Sequence, residues 1–198
     1  MHGSVHDFIV SQTVSDWRTR PTGHGQGALI PTILPIEQPN FKQRQFKRIL
    51  DIGSLNINGD MRTYDFCGAG PEWTGLVDCE EFVGVDLVGG RGVDIVMDAH
   101  NLDFPDNSFD LVMCTNTLEH DSDIQKTLFQ GYRVLKPGGL FLVTTVDGDH
   151  EEHMEIHPVE LPYNHISELD LLEYVREIKP KSSQLWHFNT DMLVRIEK

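Results

Sequence analysis

The chain has 198 residues, of which 16 are Lys or Arg and 31 are Asp or Glu, so its formal net charge is −15 with neutral histidines. This length suits one globular domain, and hydrophobic and charged fractions of 39% and 24% exclude a wholly disordered chain. The strongly negative field disfavours nucleic acid as a partner, because it repels phosphate backbones.

The cysteine content and the hydropathy of the chain bear on its location. The sequence has three cysteines and no C-x-x-C motif, which predicts reduced thiols rather than a disulfide framework. No apolar run approaches the roughly 20 residues that a membrane span needs. Met1–Val10 lacks the basic and apolar regions of a signal peptide. We therefore expect a cytoplasmic protein with no membrane partner.

The first 45 residues differ in composition from the rest. Val5–Val14 shows a weak helical stripe, and Pro21–Pro39 is rich in glycine and proline, which favour loops. We predict an N-terminal arm or helix with a Gly/Pro-rich linker over 1–45 and one domain over 46–198. The segment Leu29–Ile36, rich in isoleucine and proline, leaves open a homodimer formed through this arm.

Five short apolar runs in the domain have the composition of strands in a parallel sheet. They are Arg48–Ile52, Phe82–Asp86, Val93–Met97, Phe109–Cys114 and Gly139–Thr145. Their apolar and β-branched residues predict burial on both faces of the sheet. The segment Lys136–Gly138 is expected to form the loop that leads into the last of these strands.

Helical spacing and a hairpin signal complete the predicted fold. Apolar residues recur at helical intervals over Ile124–Val134 and over Ser167–Ile178, where Ser167 is a suitable N-cap. Two alternating runs, Gln184–Phe188 and Met192–Ile196, are joined by a short polar turn. This order predicts an α/β fold, a doubly wound Rossmann-like sheet that is mostly parallel and ends in a C-terminal antiparallel hairpin.

Polar residues follow four of the predicted strands, at the sheet edge where α/β proteins bind ligands. Gly53 follows the first strand and permits a sharp turn close to a ligand, with Ser54 and Asn56 beside it. Asp86 ends the second strand, where a carboxylate can accept hydrogen bonds from both ribose hydroxyls. These residue types at these positions favour a nucleoside-binding site.

The third and fourth strands have similar ends. Asp98 and Ala99 follow the third strand. The segment Thr115–His120 follows the fourth strand, which is predicted to end at Cys114. A carboxylate at Asp98 can accept from the exocyclic amine of adenine, although capping the turn that leads to Asn101 is an equally good use of it. Each feature alone is typical of a turn, and only their occurrence in order favours a ligand site.

Four segments together resemble a known family. They are Ile49–Ser54, Phe82–Asp86, Asp98–Asp110 and Arg133–Gly139. In this order they resemble the class I S-adenosylmethionine-dependent methyltransferases, and most closely the methyltransferase type 11 group. The resemblance covers about residues 48–146, and its most specific parts are P-[DE]-x-S-F-D and R-V-L-K-P-G-G.

The resemblance implies S-adenosyl-L-methionine as the cofactor and gives roles to residues around its adenosine end. Asp86 would hold the ribose hydroxyls, and Leu87 would pack on the adenine. Asp98 and Ala99 would meet the adenine edge. The implied function is methyl transfer from S-adenosylmethionine to a small-molecule acceptor.

Around the methionine end, the resemblance places Asp51 and Gly53 by the amine and Thr115 at the border of the moiety. The family's D-x-G-x-G-x-G loop is altered here, because Ser54–Asn56 replaces its later glycines. We expect a variant loop in which Ser54 and the Asn56 side chain contact the cofactor in place of backbone amides.

Two other functions stay open on the residues alone. The altered glycine loop motivates a catalytically silent cofactor-binding or regulatory subunit. An NAD-dependent oxidoreductase has a similar sheet, but the lack of G-x-G-x-x-G after Asp51 counts against it.

His120 is the candidate general base. The resemblance places it near the transferring methyl group, and an imidazole titrates near neutral pH. Glu119 and Asp121 offer carboxylates that could orient its ring. The alternative is that His120 only lines the pocket or caps the next helix.

A histidine-rich segment after the fifth strand raises the question of a metal. His150, His153 and His157 alternate with glutamates, but the spacing is not the H-E-x-x-H of zinc proteases. We predict no metal and expect an acidic loop over 147–165, to which Tyr163, Asn164 and His165 add polar contacts. With the arm and residues 62–81, this loop is predicted to bind a neutral or cationic small-molecule acceptor, not nucleic acid.

Overall fold

A computed structural model describes residues 46–55, 79–147, 159–188 and 190–198. The predicted arm over 1–45 lies outside these residues, so the predicted domain boundary stays a prediction. Asn56 and the cluster of His150, His153 and His157 also lie outside the described residues, so the predictions about them stay predictions.

Seven strands form one sheet in the order β3-β2-β1-β4-β5-β7-β6. They are β1 (Arg48–Ile52), β2 (Glu81–Asp86), β3 (Ile95–Val96), β4 (Phe109–Thr115), β5 (Leu135–Val146), β6 (Ser182–Phe188) and β7 (Asp191–Glu197). The first five pair in parallel, and β7 runs antiparallel to both β5 and β6. The predicted fold class is confirmed, including the C-terminal hairpin, and the strand order reverses between β1 and β4.

Two α-helices cover one face of the sheet. α1 spans Ile124–Val134 and α2 spans Glu168–Glu177. Asp123 caps α1 by accepting from the Lys126 N–H, and Ser167 forms a capping box with Asp170 at the start of α2. The helices begin and end within a residue of the predicted bounds, because their caps are local signals that the sequence already carries.

The residues on the two faces of the central strands alternate, as the pleat requires. Leu50 and Ile52 of β1 belong to the core cluster that contains α1 and α2, whereas Ile49 belongs to a second cluster on the opposite face. All three are fully buried. The central strands are therefore sandwiched, which explains their continuous apolar composition.

β3 differs from its prediction. The predicted strand Val93–Met97, buried on both faces, is wrong: only Ile95 and Val96 form a strand, and both are exposed. The physical reason is that β3 is the last strand of its edge and pairs with β2 alone. Asp94, just before it, accepts from the Gly84 N–H with its carboxylate at 2.8 Å.

β5 also differs from its prediction, since it begins at Leu135 rather than at Gly139. Leu135 already pairs with Phe109, and the register of β4 and β5 then shifts before Leu111 pairs with Leu140. Gly138 has a φ of +79°, which a glycine adopts readily. The segment predicted as a loop is thus an irregularity within a longer strand.

The two motifs P-[DE]-x-S-F-D and R-V-L-K-P-G-G, the most specific parts of the resemblance, hold the amino ends of β4 and β5 in place. The Arg133 guanidinium donates to the carbonyls of Leu102 and Phe104 at 2.7 and 2.8 Å and pairs with Asp106 at 2.6 Å. Lys136 pairs with Asp110 at 2.8 Å. These motifs are structural and lie at the end of the sheet opposite the predicted ligand site.

Across the residues that the structure describes, no helix combines the length and the apolar character needed to cross a membrane.

Candidate active site

The carboxyl ends of β1, β2 and β4 meet at Gly53. This residue has a φ of +74°, and its N–H and the Ser54 N–H both donate to the Val85 carbonyl, at 2.9 and 3.1 Å. The turn therefore folds the end of β1 against β2. Its position, at the reversal of strand order, is where open α/β sheets bind ligands.

Thr117, which the sequence reasoning overlooked, fills the space above this turn. A Cβ at Gly53 would lie 2.2 Å from Thr117 Oγ1, so no larger residue fits. The hydroxyl lies 3.3 Å from the Ile52 carbonyl and 3.2 Å from the Thr115 carbonyl, and it can donate to either. The signal in the sequence is the polar run after β4, but only the strand order places it over β1.

Asp86 stands at the carboxyl end of β2, as predicted. Its Oδ2 accepts from the Leu55 N–H at 3.1 Å, and its Oδ1 accepts from the Val88 N–H at 3.3 Å. These bonds fix the carboxylate at the edge of the crevice. Each oxygen has two lone pairs and can therefore accept more than one hydrogen bond.

Apolar side chains lie exposed beside Asp86. Leu87 is 47% exposed, Ile95 38% and Val96 62%. Exposed apolar residues that cluster next to a polar group are typical of a ligand surface. An adenine ring has the flat apolar face that such a surface accepts, and the predicted role of Leu87 agrees with its exposure.

Asp98 caps the 3₁₀ turn η1 (Ala99–Asn101) by accepting from the His100 N–H at 2.8 Å. The cap that the sequence left as an alternative is therefore present. The Asp98 side chain is still 52% exposed, so capping does not prevent it from contacting a ligand. Ala99 is half-buried against the core.

Three further predicted residues are buried or half-buried around Gly53. Asp51 is buried at 3% exposure on β1, and Thr115 is half-buried at the end of β4. Ser54 Oγ is buried and has no hydrogen-bond partner among the described residues. It faces Gly84, whose Cβ, if present, would lie 2.7 Å from that oxygen.

Cys114 lies in the same region but is unsuited to nucleophilic chemistry. Burial raises the pKa of its thiol well above the ordinary value, and the nearby carboxylates of Asp121, Glu119 and Asp51 raise it further. The thiol therefore stays protonated, and covalent catalysis by this cysteine is excluded.

The second 3₁₀ turn, η2 (Leu118–His120), carries the candidate base. Glu119 is fully buried, and its Oε2 accepts from Thr145 Oγ1 at 2.9 Å. Asp121 accepts from the Asp123 N–H at 2.8 Å and from Nε2 of His100 at 2.6 Å. Asp121 thus pairs with His100, and the expectation that Glu119 or Asp121 orients His120 stays a prediction.

His120 is half-buried and faces the chain that follows the histidine-rich segment. Its ring centroid lies 5.5 Å from that of Tyr163 in an edge-on arrangement, and Tyr163 lies 5.5 Å from His165. Asn164 between them donates to the carbonyls of Glu119 and Asp121 at 2.6 and 2.5 Å. Tyr163 and Asn164 thus lie against η2, and the polar contacts to an acceptor expected of them and of His165 stay a prediction.

The site as a whole can be compared with what an adenosyl sulfonium cofactor requires. The buried carboxylate of Asp51 suits its cationic group, the Asp86 carboxylate held by two backbone N–H groups suits its hydroxyls, and exposed Leu87 suits its ring. The described residues hold no group of three or more side chains that could ligate a metal ion. The residues present therefore fit the adenosyl cofactor.

Comparison with known proteins agrees with this geometry. A family model described as a methyltransferase domain matches residues 67–143. A SAM-dependent methyltransferase from Aquifex aeolicus shares the fold, with a TM-score of 0.54, 15% identity, and coverage of 76% of this chain and 81% of that chain. This chain is therefore similar to S-adenosylmethionine-dependent methyltransferases over the matched residues and in its fold.

Curated relatives share one part of their sequence with this chain. A ubiquinone/menaquinone biosynthesis C-methyltransferase of Brucella abortus (strain 2308) is 36% identical over 111 residues, which is 54% of this chain and 31% of the relative. A malonyl-[acyl-carrier protein] O-methyltransferase of Coxiella burnetii is 39% identical over 66 residues, 29% of this chain and 23% of the relative. The chain thus spans less than a third of these relatives' length.

Proposed function

We propose that this chain binds S-adenosylmethionine and transfers its methyl group to a small-molecule acceptor. The observation that carries the proposal is the meeting of three strand ends at Gly53, where backbone N–H groups hold the Asp86 carboxylate beside a glycine turn at the reversal of strand order. The match of residues 67–143 to a methyltransferase-domain model supports the choice of cofactor.

The chain's own residues would divide the work along the crevice. Asp86, held by two backbone N–H groups, accepts from the ribose hydroxyls. Leu87 packs on the adenine, with Asp98 and Ala99 at its edge. Asp51 lies at the methionine amine, below the Gly53 turn and beside Thr115. Asn56 completes the predicted contacts outside the described residues.

The cofactor supplies an electrophilic methyl group, so the chain needs only to position the acceptor and take up its proton. His120 is placed for the proton, since η2 carries it next to Tyr163 at the end of the sheet. The carboxylates of the site favour a neutral or cationic acceptor over an anionic one.

The names of the relatives suggest where a search for the acceptor should begin. The Brucella relative acts on carbon in quinone biosynthesis by its name, and a hydroxylated aromatic ring becomes a better carbon nucleophile when a base removes its phenolic proton. His120 is suited to this step. We therefore propose a quinol-like ring as the first acceptor class to test.

Calorimetric titration with S-adenosylhomocysteine tests the proposal directly. We expect saturable binding at one site per chain. If neither S-adenosylhomocysteine nor S-adenosylmethionine binds, the proposed cofactor site is wrong.

A second assay tests the transfer. The chain is incubated with S-adenosylmethionine and with short-chain demethylated quinols, amines or carboxylates, and release of S-adenosylhomocysteine is measured. Cofactor binding without release in any arm would favour a silent cofactor-binding subunit. Tighter binding of NADH than of S-adenosylhomocysteine would favour an oxidoreductase.

A further inference from the structure

His100 is the side chain that connects the two turns of the candidate site. Its Nε2 lies 2.6 Å from Asp121 Oδ1, and its Nδ1 lies 3.1 Å from Asp98 Oδ1. The ring is 19% exposed and the Asp121 side chain 5%. One partly buried imidazole thus bridges the acidic residue that caps η1 and the acidic residue that ends η2.

Each turn belongs to a different part of the proposed site. η1 follows β3 and holds Asp98 and Ala99, which would meet the adenine edge. η2 follows β4 and carries His120. The two turns are separated by strand β4 in sequence, so a direct side-chain bridge is the shortest physical connection between them.

Hydrogen bonds from residues outside η1 also hold η2 in place. Asn164 donates to the carbonyls of Leu118, Glu119 and Asp121, and Thr145 donates to the Glu119 carboxylate at 2.9 Å. The bond from His100 to Asp121 adds to these contacts a direct side-chain link between η2 and η1.

We propose that His100 is a positioning residue that couples cofactor binding at η1 to the placement of His120 on η2. Contact of the adenine with Asp98 would order η1 and, through the His100 bridge, order η2. This inference rests on the proposed function, because it requires an adenosyl ligand at η1.

Amide substitutions at position 100 separate the two halves of the bridge. His100→Asn places its amide N–H near the Nδ1 position and keeps a donor for Asp98, whereas His100→Gln places it near Nε2 and keeps a donor for Asp121. His100→Phe keeps a ring and removes both donors. Glu177→Gln, on the exposed end of α2, is the control.

Two readouts are measured for each variant. The first is the dissociation constant of S-adenosylhomocysteine from calorimetry. The second is the protection from hydrogen exchange that S-adenosylhomocysteine induces in the amides of residues 117–121, compared with those of residues 51–55. The thermal midpoint of unfolding is recorded to show that each variant is folded.

The inference predicts different patterns for the variants. His100→Gln should weaken binding about fivefold and keep the ligand-induced protection of η2, and His100→Asn should bind within about twofold of the unmodified chain and lose that protection. His100→Phe should show both the weaker binding and the loss of η2 protection, while the ligand still protects residues 51–55. Equal protection of η2 in all variants, or equal losses in His100→Asn and His100→Gln, would overturn the inference.

The outcome is separable from that of the proposed function. No binding of S-adenosylhomocysteine to the unmodified chain would overturn the cofactor site and the coupling with it. Binding to the unmodified chain without any change in η2 protection on substitution of His100 would overturn the coupling alone.

Discussion

Thr117 stands where a side chain at Gly53 would have to lie, since a Cβ at position 53 would come within 2.2 Å of Thr117 Oγ1. Two demands therefore coincide at this glycine. One is the close approach of Thr117, and the other is a φ of +74°, which side-chain-bearing residues rarely adopt.

Gly53→Ala is expected to destabilise the fold by about 2–4 kcal/mol, because the φ strain and the clash add. Gly138→Ala is the matched control, since Gly138 has a φ of +79° and no atom within 4 Å of its Cβ position, and it should cost only about 1 kcal/mol. Urea unfolding measures both. Equal losses in the free energy of unfolding of the two variants would show that Thr117 moves aside without destabilising the fold.

Asp86→Ala tests the candidate ribose contact. We expect the affinity for S-adenosylhomocysteine to fall by about 1.5–3 kcal/mol, the cost of losing hydrogen bonds to a charged acceptor. Calorimetry measures the change, and Glu177→Gln controls for the loss of a surface carboxylate. An unchanged affinity in folded Asp86→Ala would place the ribose elsewhere.

Arg133→Lys tests the structural interpretation of the R-V-L-K-P-G-G motif. Lysine cannot reproduce the fork that donates to the Leu102 and Phe104 carbonyls, so we expect a loss of about 1–3 kcal/mol in the free energy of unfolding.

Asp106→Asn is the comparison variant for this test. It removes only the carboxylate partner of Arg133, and the Asp106 side chain is 66% exposed. The free energy of unfolding should therefore fall by less than about 1 kcal/mol. A loss equal to that of Arg133→Lys would mean that the ion pair, rather than the carbonyl contacts, stabilises this region.

Asp110 predicts a pH dependence of stability. Burial alone would raise the pKa of its carboxyl. Hydrogen bonds from Lys136 and from the backbone N–H groups of residues 47 and 48, together with the Lys136 charge, outweigh burial and lower this pKa below 3.8. A lowered pKa in the folded state adds stability above pH 4, which is lost as the pH falls through the folded-state value.

Asp110→Asn should therefore be less stable than the unmodified chain at pH 7, and the difference should shrink as the pH falls from about 4 towards 3. Urea unfolding at several pH values measures this. Glu173→Gln, on the exposed surface of α2, should show no such pH dependence. A constant difference for Asp110→Asn across pH 3–7 would contradict the role of its charge.

The parts of the fold that the sequence predicts correctly are those with local signals. Ser167 and Asp170 form a capping box within one turn, and the apolar spacing of α1 repeats over its whole length, so both helices are predicted within a residue. The edge position of β3 has no local signal, because it depends on which strand lies last in the sheet.

The same distinction applies to the candidate site. Gly53 and Asp86 follow predicted strands directly, so their positions could be predicted. Thr117 over Gly53 and the bond from His100 to Asp121 could not, because each joins segments that only the sheet order brings together. His120 lies on η2 beyond β4, and its role as the general base stays a prediction.

The backbone amides of residues 53, 54 and 55 are all engaged within the protein, by the Val85 carbonyl and the Asp86 carboxylate. Few main-chain donors are thus left at this turn for the amino-acid end of a bound cofactor. Ligand design for the proposed cofactor site would gain most from the nucleoside half of the molecule, and simple adenosine analogues are suitable starting compounds.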